Sequence, residues 1–446
     1  MKNFDTLSTL LAEKKYPDFI HELDRLYPSD AADFLDSLPP EELPVVFRLL
    51  KKDTASEIFA ELDSESQKRL ISALTDRELG QLCGDLYTDD VVDMLEELPA
   101  GVVSRIMKNV SPDDRSVINR FLAYPDGSAG SIMTSEYATL HSDMTISDAI
   151  HHIRKTGYDK ETVYTLFVTD GQRHLVGTLE LSDLLFGEPQ SKISDVTDTD
   201  AASVLTTDDR EYVADVIAKY DLLSVPVVDS EGRLVGIVTV DDAVDVMREE
   251  ATEDIEKMAA ITPTDRPYIK AGVLEIFKNR IPWLLLLMIS ATFTGAIISH
   301  YEAALGAYVV LTSFIPMLMD TGGNAGGQAS VTVIRGMSLG EIAPRDALRI
   351  LWKEFRVSLL CGVTLAIVAV AKVMLIDRAG PTVAAVVSLT LFLSVITAKA
   401  VGSLLPLLAK KLKLDPAVMA SPFITTIVDA LSLMIYFRIA TLFLKL

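Results

Sequence analysis

Apolar and polar positions follow two different regimes along this chain. Up to about residue 128 the apolar residues come in short amphipathic runs. Two apolar positions three apart precede a turn at Leu35 and Leu38-Pro39, at Phe59 and Leu62-Asp63, and at Leu95 and Leu98-Pro99. Each copy leads into a further amphipathic stretch, such as Val45 to Leu50 or Val102 to Val110, so the pattern predicts a small all-α superhelix. From Arg280 onward the apolar residues instead form long runs. These predict five membrane spans at about 281–300, 305–334, 357–376, 381–409 and 419–443, each long enough to cross a bilayer as a helix.

Between these regimes lies an internal repeat of alternating strands. Leu166-Phe167-Val168-Thr169-Asp170, Leu175-Val176-Gly177-Thr178-Leu179 and Asp183 recur as Val225-Pro226-Val227-Val228-Asp229, Leu234-Val235-Gly236-Ile237-Val238 and Asp242, displaced by 59 residues. Each copy reads strand, turn, strand, helix, after a helix at Ile146 to Thr156 or Glu211 to Tyr220. The pair resembles tandem cystathionine-beta-synthase (CBS) domains, which implies an α+β regulatory module that often binds adenosine nucleotides. The second copy keeps the nucleotide-type Thr239-x-x-Asp242 pattern, whereas the first has Glu180 in place of the hydroxyl residue. ATP or another adenosine nucleotide is the implied ligand of Thr239 and Asp242.

Charge sharpens the division. Residues 1–265 hold 24 Lys+Arg against 54 Asp+Glu, and residues 266–446 hold 17 against 9. The acidic half reads as soluble and the basic half as membranous. Cys83 and Cys361 are too few for a disulfide framework or a cysteine metal site, and the polar start of the chain predicts no signal peptide. Lys270, Lys278 and Arg280 precede the first span, Arg335 to Arg356 lie between the second and third, and Lys410, Lys411 and Lys413 precede the fifth. By the positive-inside rule the N-terminus is cytosolic and the C-terminus outside. The domains expected are a helical N-terminal region (1–128), the tandem CBS domains (129–245), a connecting helix (246–270) and a five-span transmembrane domain (271–446).

Candidate chemistry is carried by carboxylates in four places. In the last span Ser421, Thr425 and Asp429 are spaced by four, on one helical face. An ionised carboxylate near a bilayer centre costs about 2.5–3.5 kcal/mol on insertion scales and usually faces a bundle interior or a water-filled path. Asp429 is therefore either an ion site or a structural partner of Lys399 or backbone groups. In the second span, Asp320-Thr321-Gly322-Gly323-Asn324-Ala325-Gly326-Gly327-Gln328 has glycines that weaken a regular helix and polar oxygens that suit a pathway; tight helix packing is the plainer use of such glycines. The connecting stretch carries Glu250, Glu253 and Asp254 on one face, which a bound cation would relieve of mutual repulsion or which water alone solvates. Asp89, Asp90 and Asp93 form an acidic helix start, a pattern that ordinarily complements the helix dipole.

These oxygens suit hard cations such as magnesium or calcium rather than soft metals. The chain, in its whole domain order and in Thr321-Gly322-Gly323-Asn324-Ala325-Gly326 and Asp415-Pro416-Ala417…Ser421-Pro422…Thr425…Asp429, resembles the MgtE family of magnesium channels. That resemblance implies a homodimer in the plasma membrane in which Asp429 holds hydrated Mg2+ at the pore centre, with Asn324 and Thr425 along the path. It also implies a cytosolic Mg2+ sensor, carried over to Asp209, Asp221, Asp242, Glu250, Glu253, Asp254, Asp89 and Asp93, which shuts the pore at high internal Mg2+. Gly327 stands where many relatives have a second Asn. Mg2+, with Co2+ or Mn2+ as further ions, the bilayer and a second copy are the expected partners, and nucleic acid is not. An intramembrane metalloprotease is disfavoured because no span carries a His-Glu-x-x-His site, and an anion carrier because Asp429 would repel its substrate. A proton-coupled transporter of divalent cations stays open, since a membrane Asp can also relay a proton.

Overall fold

The computed structural model describes residues 4–264, 268–269, 271–301, 306, 308–419 and 421–444. It divides into two compact units, one ending at Met247 and one beginning at Arg248.

The first unit opens with ten short helices among the described residues, from α1 (Phe4–Ala12) to α10 (Pro112–Phe121). The apolar pairs of the sequence repeat turn inward: Leu35, Phe59, Leu62 and Leu95 are buried in one core. Local chemistry starts the helices that follow. Asp63 Oδ1 accepts from Ser66 N at 2.8 Å to begin α6 (Ser64–Ala73), and Thr75 forms a capping box with Glu78 at the head of α7 (Asp76–Cys83).

Two three-stranded sheets follow, β1-β2-β3 (Tyr137–His141, Thr162–Thr169, Leu175–Glu180) and β4-β5-β6 (Val204–Leu205, Ser224–Val228, Leu234–Thr239). In each, the first pair is parallel and the second antiparallel. The 59-residue repeat is visible atom for atom at the hairpins. Asp170 Oδ1 accepts from the amides of Gln172 and His174, and Asp229 Oδ1 from those of Glu231 and Arg233, all at 2.8–2.9 Å. Gly177 and Gly236 are places of close backbone approach, where a Cβ would strike Asp198 O in one copy and Met133 in the other. Helices α11 (Ile146–Thr156) and α14 (Arg210–Tyr220), with the short α12 (Leu181–Phe186) and α13 (Ile193–Val196) between them, occupy the positions expected, and α15 (Val240–Met258) continues directly from β6. The helix α15 stops at Met258, with Ala260 in the left-handed region at φ 55°, ahead of Pro263. Part of the connecting stretch, 265–267 and 270, lies outside the described residues.

The second unit is a helical bundle of α16 (Val273–His300), α17 (Ile315–Ser338), α18 (Ala347–Ala371), α19 (Pro381–Lys411) and α20 (Ser421–Leu444). Among the described residues four stretches are long and apolar enough to cross a membrane: Val273–His300, Pro344–Ile376, Pro381–Lys411 and Ala417–Leu444. The second expected span, 305–334, falls below that measure of apolarity, and its residues 305 and 307 lie outside the described residues. There a 3-10 segment, Val309–Phe314, leads into the 24-residue α17, whose Asp320, Asn324, Gln328 and glycines leave it less apolar than its neighbours. It is an interior helix, packed against α19 and α20.

The glycines of α17 also differ from expectation. They do not break the helix, which is regular from Ile315 to Ser338, and Gly322, Gly323, Gly326 and Gly327 are all buried. Gly326 and Gly402 lie backbone to backbone, so that a Cβ on Gly402 would collide with the Gly326 carbonyl. Small residues here permit close helix packing, which in lipid replaces the hydrophobic driving force.

Candidate functional site

Two sites emerge, one in each unit. In the bundle, the glycine face of α17 forms a bare backbone wall. A Cβ on Gly323 would lie 3.0 Å from Thr425 Cγ2 and 3.9 Å from Asp429 Oδ1, and one on Gly322 would lie 2.9 Å from Ser432 Oγ. Thr425 and Asp429, four residues apart on α20, are thus half-buried against that wall. Thr425 Oγ1 donates to the Pro422 carbonyl at 2.9 Å, which leaves its oxygen lone pairs for another donor or an ion's water. Asp429 has no hydrogen bond or ion pair among the described residues, and Asp320 on α17 is within electrostatic reach of it. Asp320, Asn324 and Gln328, spaced by four, are exposed along α17 and form a polar stripe beside the carboxylate. The side chain of Ser421 lies outside what is described.

Lys399 is not Asp429's partner. It is buried on α19 and pairs with Glu354 of α18, Nζ to Oε2, at 3.3 Å. The sequence could not show this, because the two residues are 45 positions apart.

In the first unit, carboxylates converge from the leading ends of several elements. Asp89 and Asp90 come from the first turn of α8 (Thr88–Glu96), Asp241 and Asp242 from the first turn of α15, and Glu136 and Glu161 from just ahead of β1 and β2. Helix starts tolerate such charge because their free N–H groups and dipole favour anions. Glu136 is fully engaged: it accepts from Thr88 N and Oγ1, Thr134 Oγ1, and Ser135 N and Oγ at 2.7–3.2 Å. Asp242 accepts from Thr239 Oγ1, so the nucleotide-type pair is bonded to itself in this state.

Two oxygens in this cluster are orphaned. Asp89 Oδ1 and Glu161 Oε2 are buried with no hydrogen-bond partner among the described residues, and a buried charged oxygen without one is costly. Burial first, then repulsion from Asp90, Asp242 and Glu161, holds the Asp89 carboxyl well above the usual range. Burial, then Asp242 and Asp90, pushes Glu161 up to about 8. Asp90 is raised to about 6 by burial and then by Asp242 and Glu61. A cation would relieve all three. Among the described residues, however, no group of three His, Cys, Asp or Glu is already arranged to coordinate a metal ion directly. The cluster suits a hydrated ion, or closes further around a bare one.

The remaining expected sensor residues are not brought together. Asp209 N-caps α14, its Oδ1 accepting from Glu211 N at 2.9 Å, while Asp221 ends the same helix in the left-handed conformation at φ 52°. Eleven helical residues hold them about 17 Å apart, so they cannot share an ion within one chain. Asp93 is exposed and lines a small concavity with Asp90, Glu97 and Gln67.

On α15, Glu250, Glu253 and Asp254 are partly buried on one face, but a cation already sits there. Lys257 Nζ lies 2.5 Å from Glu253 Oε1 and 2.6 Å from Asp415 Oδ2, and Asp415 Oδ1 accepts from Ala417 N ahead of α20. Burial would lower Lys257, but its bonds to Asp415 and Glu253 carry it above its ordinary value. Asp254 is raised by burial and then by Asp415, with Lys257 opposing. The i, i+4 spacing of Glu253 and Lys257 was readable in the sequence; Asp415 was not. Glu161 and Glu354 carried no local signal, since each gains its meaning from residues distant in sequence.

A polar, carboxylate-bearing stripe on a bundle of long apolar helices, in one chain with an acidic region of paired three-stranded modules, is the arrangement of a multi-pass membrane protein that handles cations. Residues 315–439 match the family described as MgtE, divalent cation transporter; residues 26–127 match the MgtE intracellular N domain; residues 129–187 and 193–249 match the CBS domain. The sequence is 35% identical over 427 residues to the magnesium transporter MgtE of Thermus thermophilus, covering 95% of this chain and 94% of that protein. It is 34% identical to the magnesium transporter MgtE of Bacillus subtilis, over 98% of this chain and 96% of that one. Among solved structures, the cytosolic domain of the Mg2+ channel MgtE in complex with ATP superposes with a TM-score of 0.52 at 33% identity, covering 55% of this chain and 99% of that domain. The chain belongs to the MgtE family of magnesium transporters.

Proposed function

We propose that this chain forms a homodimeric, Mg2+-selective channel that admits Mg2+ into the cytosol and is shut by cytosolic Mg2+. The observation that carries the reading is Asp429: a half-buried carboxylate without a protein partner among the described residues, lying against a glycine wall beside the exposed stripe Asp320, Asn324 and Gln328. A second copy facing this stripe would enclose it, and a pair of Asp429 carboxylates would hold hydrated Mg2+ through its water shell. Asn324 and Thr425 line the path, and Co2+ or Mn2+ would pass with it.

The orphaned oxygens of Asp89 and Glu161, with Asp90 and Asp242, support an inhibitory Mg2+ site in the soluble unit. Asp93, Asp209 and Asp221 would act there only through a second copy or a rearranged state. Glu250, Glu253 and Asp254 add a second regulatory point on α15. An adenosine nucleotide, ATP by likeness to the solved relative, would be held at Thr239 and Asp242. Ion conduction requires no catalytic residue, and the protein is not an enzyme in this reading. It sits in the plasma membrane with its N-terminus in the cytosol and its C-terminus outside.

Mg2+ flux into liposomes, wild type beside Asp429→Ala and with or without a pH gradient, tests the proposal. Loss of flux in the variant together with indifference to the gradient is expected. Flux retained in the variant overturns Asp429 as the ion site. The proximity of Asp320 to Asp429 favours one alternative, a proton shared by two acids, and flux only under a pH gradient would assign the protein to proton-coupled transport.

A further inference from the structure

The first three turns of α18 carry a cationic stripe on the same face as its bare apolar surface. At about 100° per residue, Arg349, Lys353, Arg356, Leu360, Val363 and Ile367 all fall within about 40° of one line along the helix. All six side chains are exposed, Leu360 by 74% and Ile367 by 66%. Cations therefore run straight into a strip that spans the hydrocarbon.

The stripe is held in place and is not neutralised by the acids nearest in sequence. Arg356 stands over the Trp352 ring, 5.9 Å from its centroid, and Trp352 stacks on Phe355 with centroids 5.7 Å apart. Glu354, the acid within this segment, faces the bundle and is paired with Lys399. Asp346 is engaged as a cap, accepting from Ala343 N at 3.0 Å. A half-exposed tryptophan at this level is the usual marker of the headgroup region.

We propose that this face of α18 binds an anionic phospholipid, its phosphate held by Arg349, Lys353 and Arg356, its glycerol region against Trp352, and an acyl chain along Leu360, Val363 and Ile367. Charge complementarity selects the occupant. A two-fold-related copy would present the same three cations to this face, and like charges would repel, whereas a lipid phosphate supplies the missing acceptor oxygens together with apolar tails.

Trp352 reports on the site directly. Trp283 is the chain's other tryptophan, so Trp283→Phe leaves Trp352 as sole fluorophore. The full chain is reconstituted in phosphatidylcholine vesicles doped with either phosphatidylglycerol or phosphatidylcholine brominated high on the acyl chain. Half-maximal quenching by brominated phosphatidylglycerol is expected at about tenfold lower mole fraction than by brominated phosphatidylcholine. The combined variant Arg349→Gln, Lys353→Gln, Arg356→Gln is expected to lose that preference while keeping phosphatidylcholine quenching and Mg2+ flux.

Equal quenching by both lipids in the unsubstituted stripe overturns the proposal, and this comparison needs no cation variant to fold. Quenching by neither means protein covers the face, and a preference that survives the triple variant means other groups read the lipid. Either result also overturns it.

Discussion

Glu354 and Glu161 are both acids held away from water, yet their surroundings are opposite. Glu354 in the bundle has a cation of its own, Lys399, supplied by the neighbouring helix and as buried as itself. Glu161 in the first unit faces Asp90, Asp241, Asp242 and Glu136, and one of its oxygens has no partner among the described residues. A tethered cation is permanent, so the Glu354 pair closes on itself and responds to nothing in solution. A cluster that lacks one is destabilised until a diffusible cation arrives, which is what a sensor needs. The contrast separates acids that hold the protein together from acids that report on its surroundings.

Breaking the closed pair should have the largest effect. Lys399→Met leaves the Glu354 carboxylate buried and uncompensated and should cost about 3–5 kcal/mol, whereas Glu354→Leu with Lys399→Met should be close to neutral. Thermal melts of the detergent-purified chain test this, and equal melting of the single and double variants would show that Glu354 finds another partner. The open cluster should behave in the reverse sense. Replacing Asp89 by Asn and Glu161 by Gln removes repulsion, and should raise stability above pH 8 without Mg2+ by about 2 kcal/mol, a figure discounted for partial exposure. The same variant should lose most of the stabilisation that Mg2+ gives the parent.

Proton binding gives a finer probe of the same cluster. Asp90 and Glu161 have folded-state values raised to about 6 and about 8, from ordinary values near 4. An acid raised on folding binds its proton more tightly in the folded state, so its stabilising effect is complete at low pH and is lost as pH rises through the raised value. Without Mg2+, melting temperature should therefore fall between about pH 5 and pH 8, and saturating Mg2+ should flatten the fall. A flat profile without Mg2+ would mean the acids are already separated or solvated in the resting protein.

The sequence revealed what depends on local periodicity and missed what depends on convergence. The hairpin repeat at Asp170 and Asp229, the helix at Ile146–Thr156 and the placing of Thr425 and Asp429 on one face all follow from spacing, and the structure has them as expected. Polar content signalled a special helix at Asp320 to Gln328, but it could not say that glycines would face inward and amides outward; that division is set by α19 and α20. The Lys399–Glu354 pair and the Glu161 orphan join residues tens of positions apart, and nothing local to either partner marks them. Asp209 and Asp221 show the converse: acids that resembled sensor ligands also form the two ends of α14, a use that their likeness to ligands did not reveal.

Lys257 lies between the two extremes, and the smallest expected effect would say the most about the linker. It bridges Glu253 and Asp415 as a tethered cation, as Lys399 does for Glu354. Yet its side chain and those of its partners are 23–33% exposed, where an ion pair contributes at most about 1 kcal/mol. A bridge that weak can be displaced. Lys257→Met would leave Glu253 and Asp415 without their cation beside Asp254, which burial and Asp415 already hold above its ordinary value. Mg2+ would then meet three under-compensated carboxylates and no competitor, so half-inhibition of flux by cytosolic Mg2+ should move to a concentration about three- to tenfold lower. Flux without Mg2+ should rise at the same time, because the contact that draws α15 toward the start of α20 is gone. An unchanged inhibition curve would make the bridge ordinary helix packing, and would leave the Asp89 and Glu161 cluster as the responsive element of the pair.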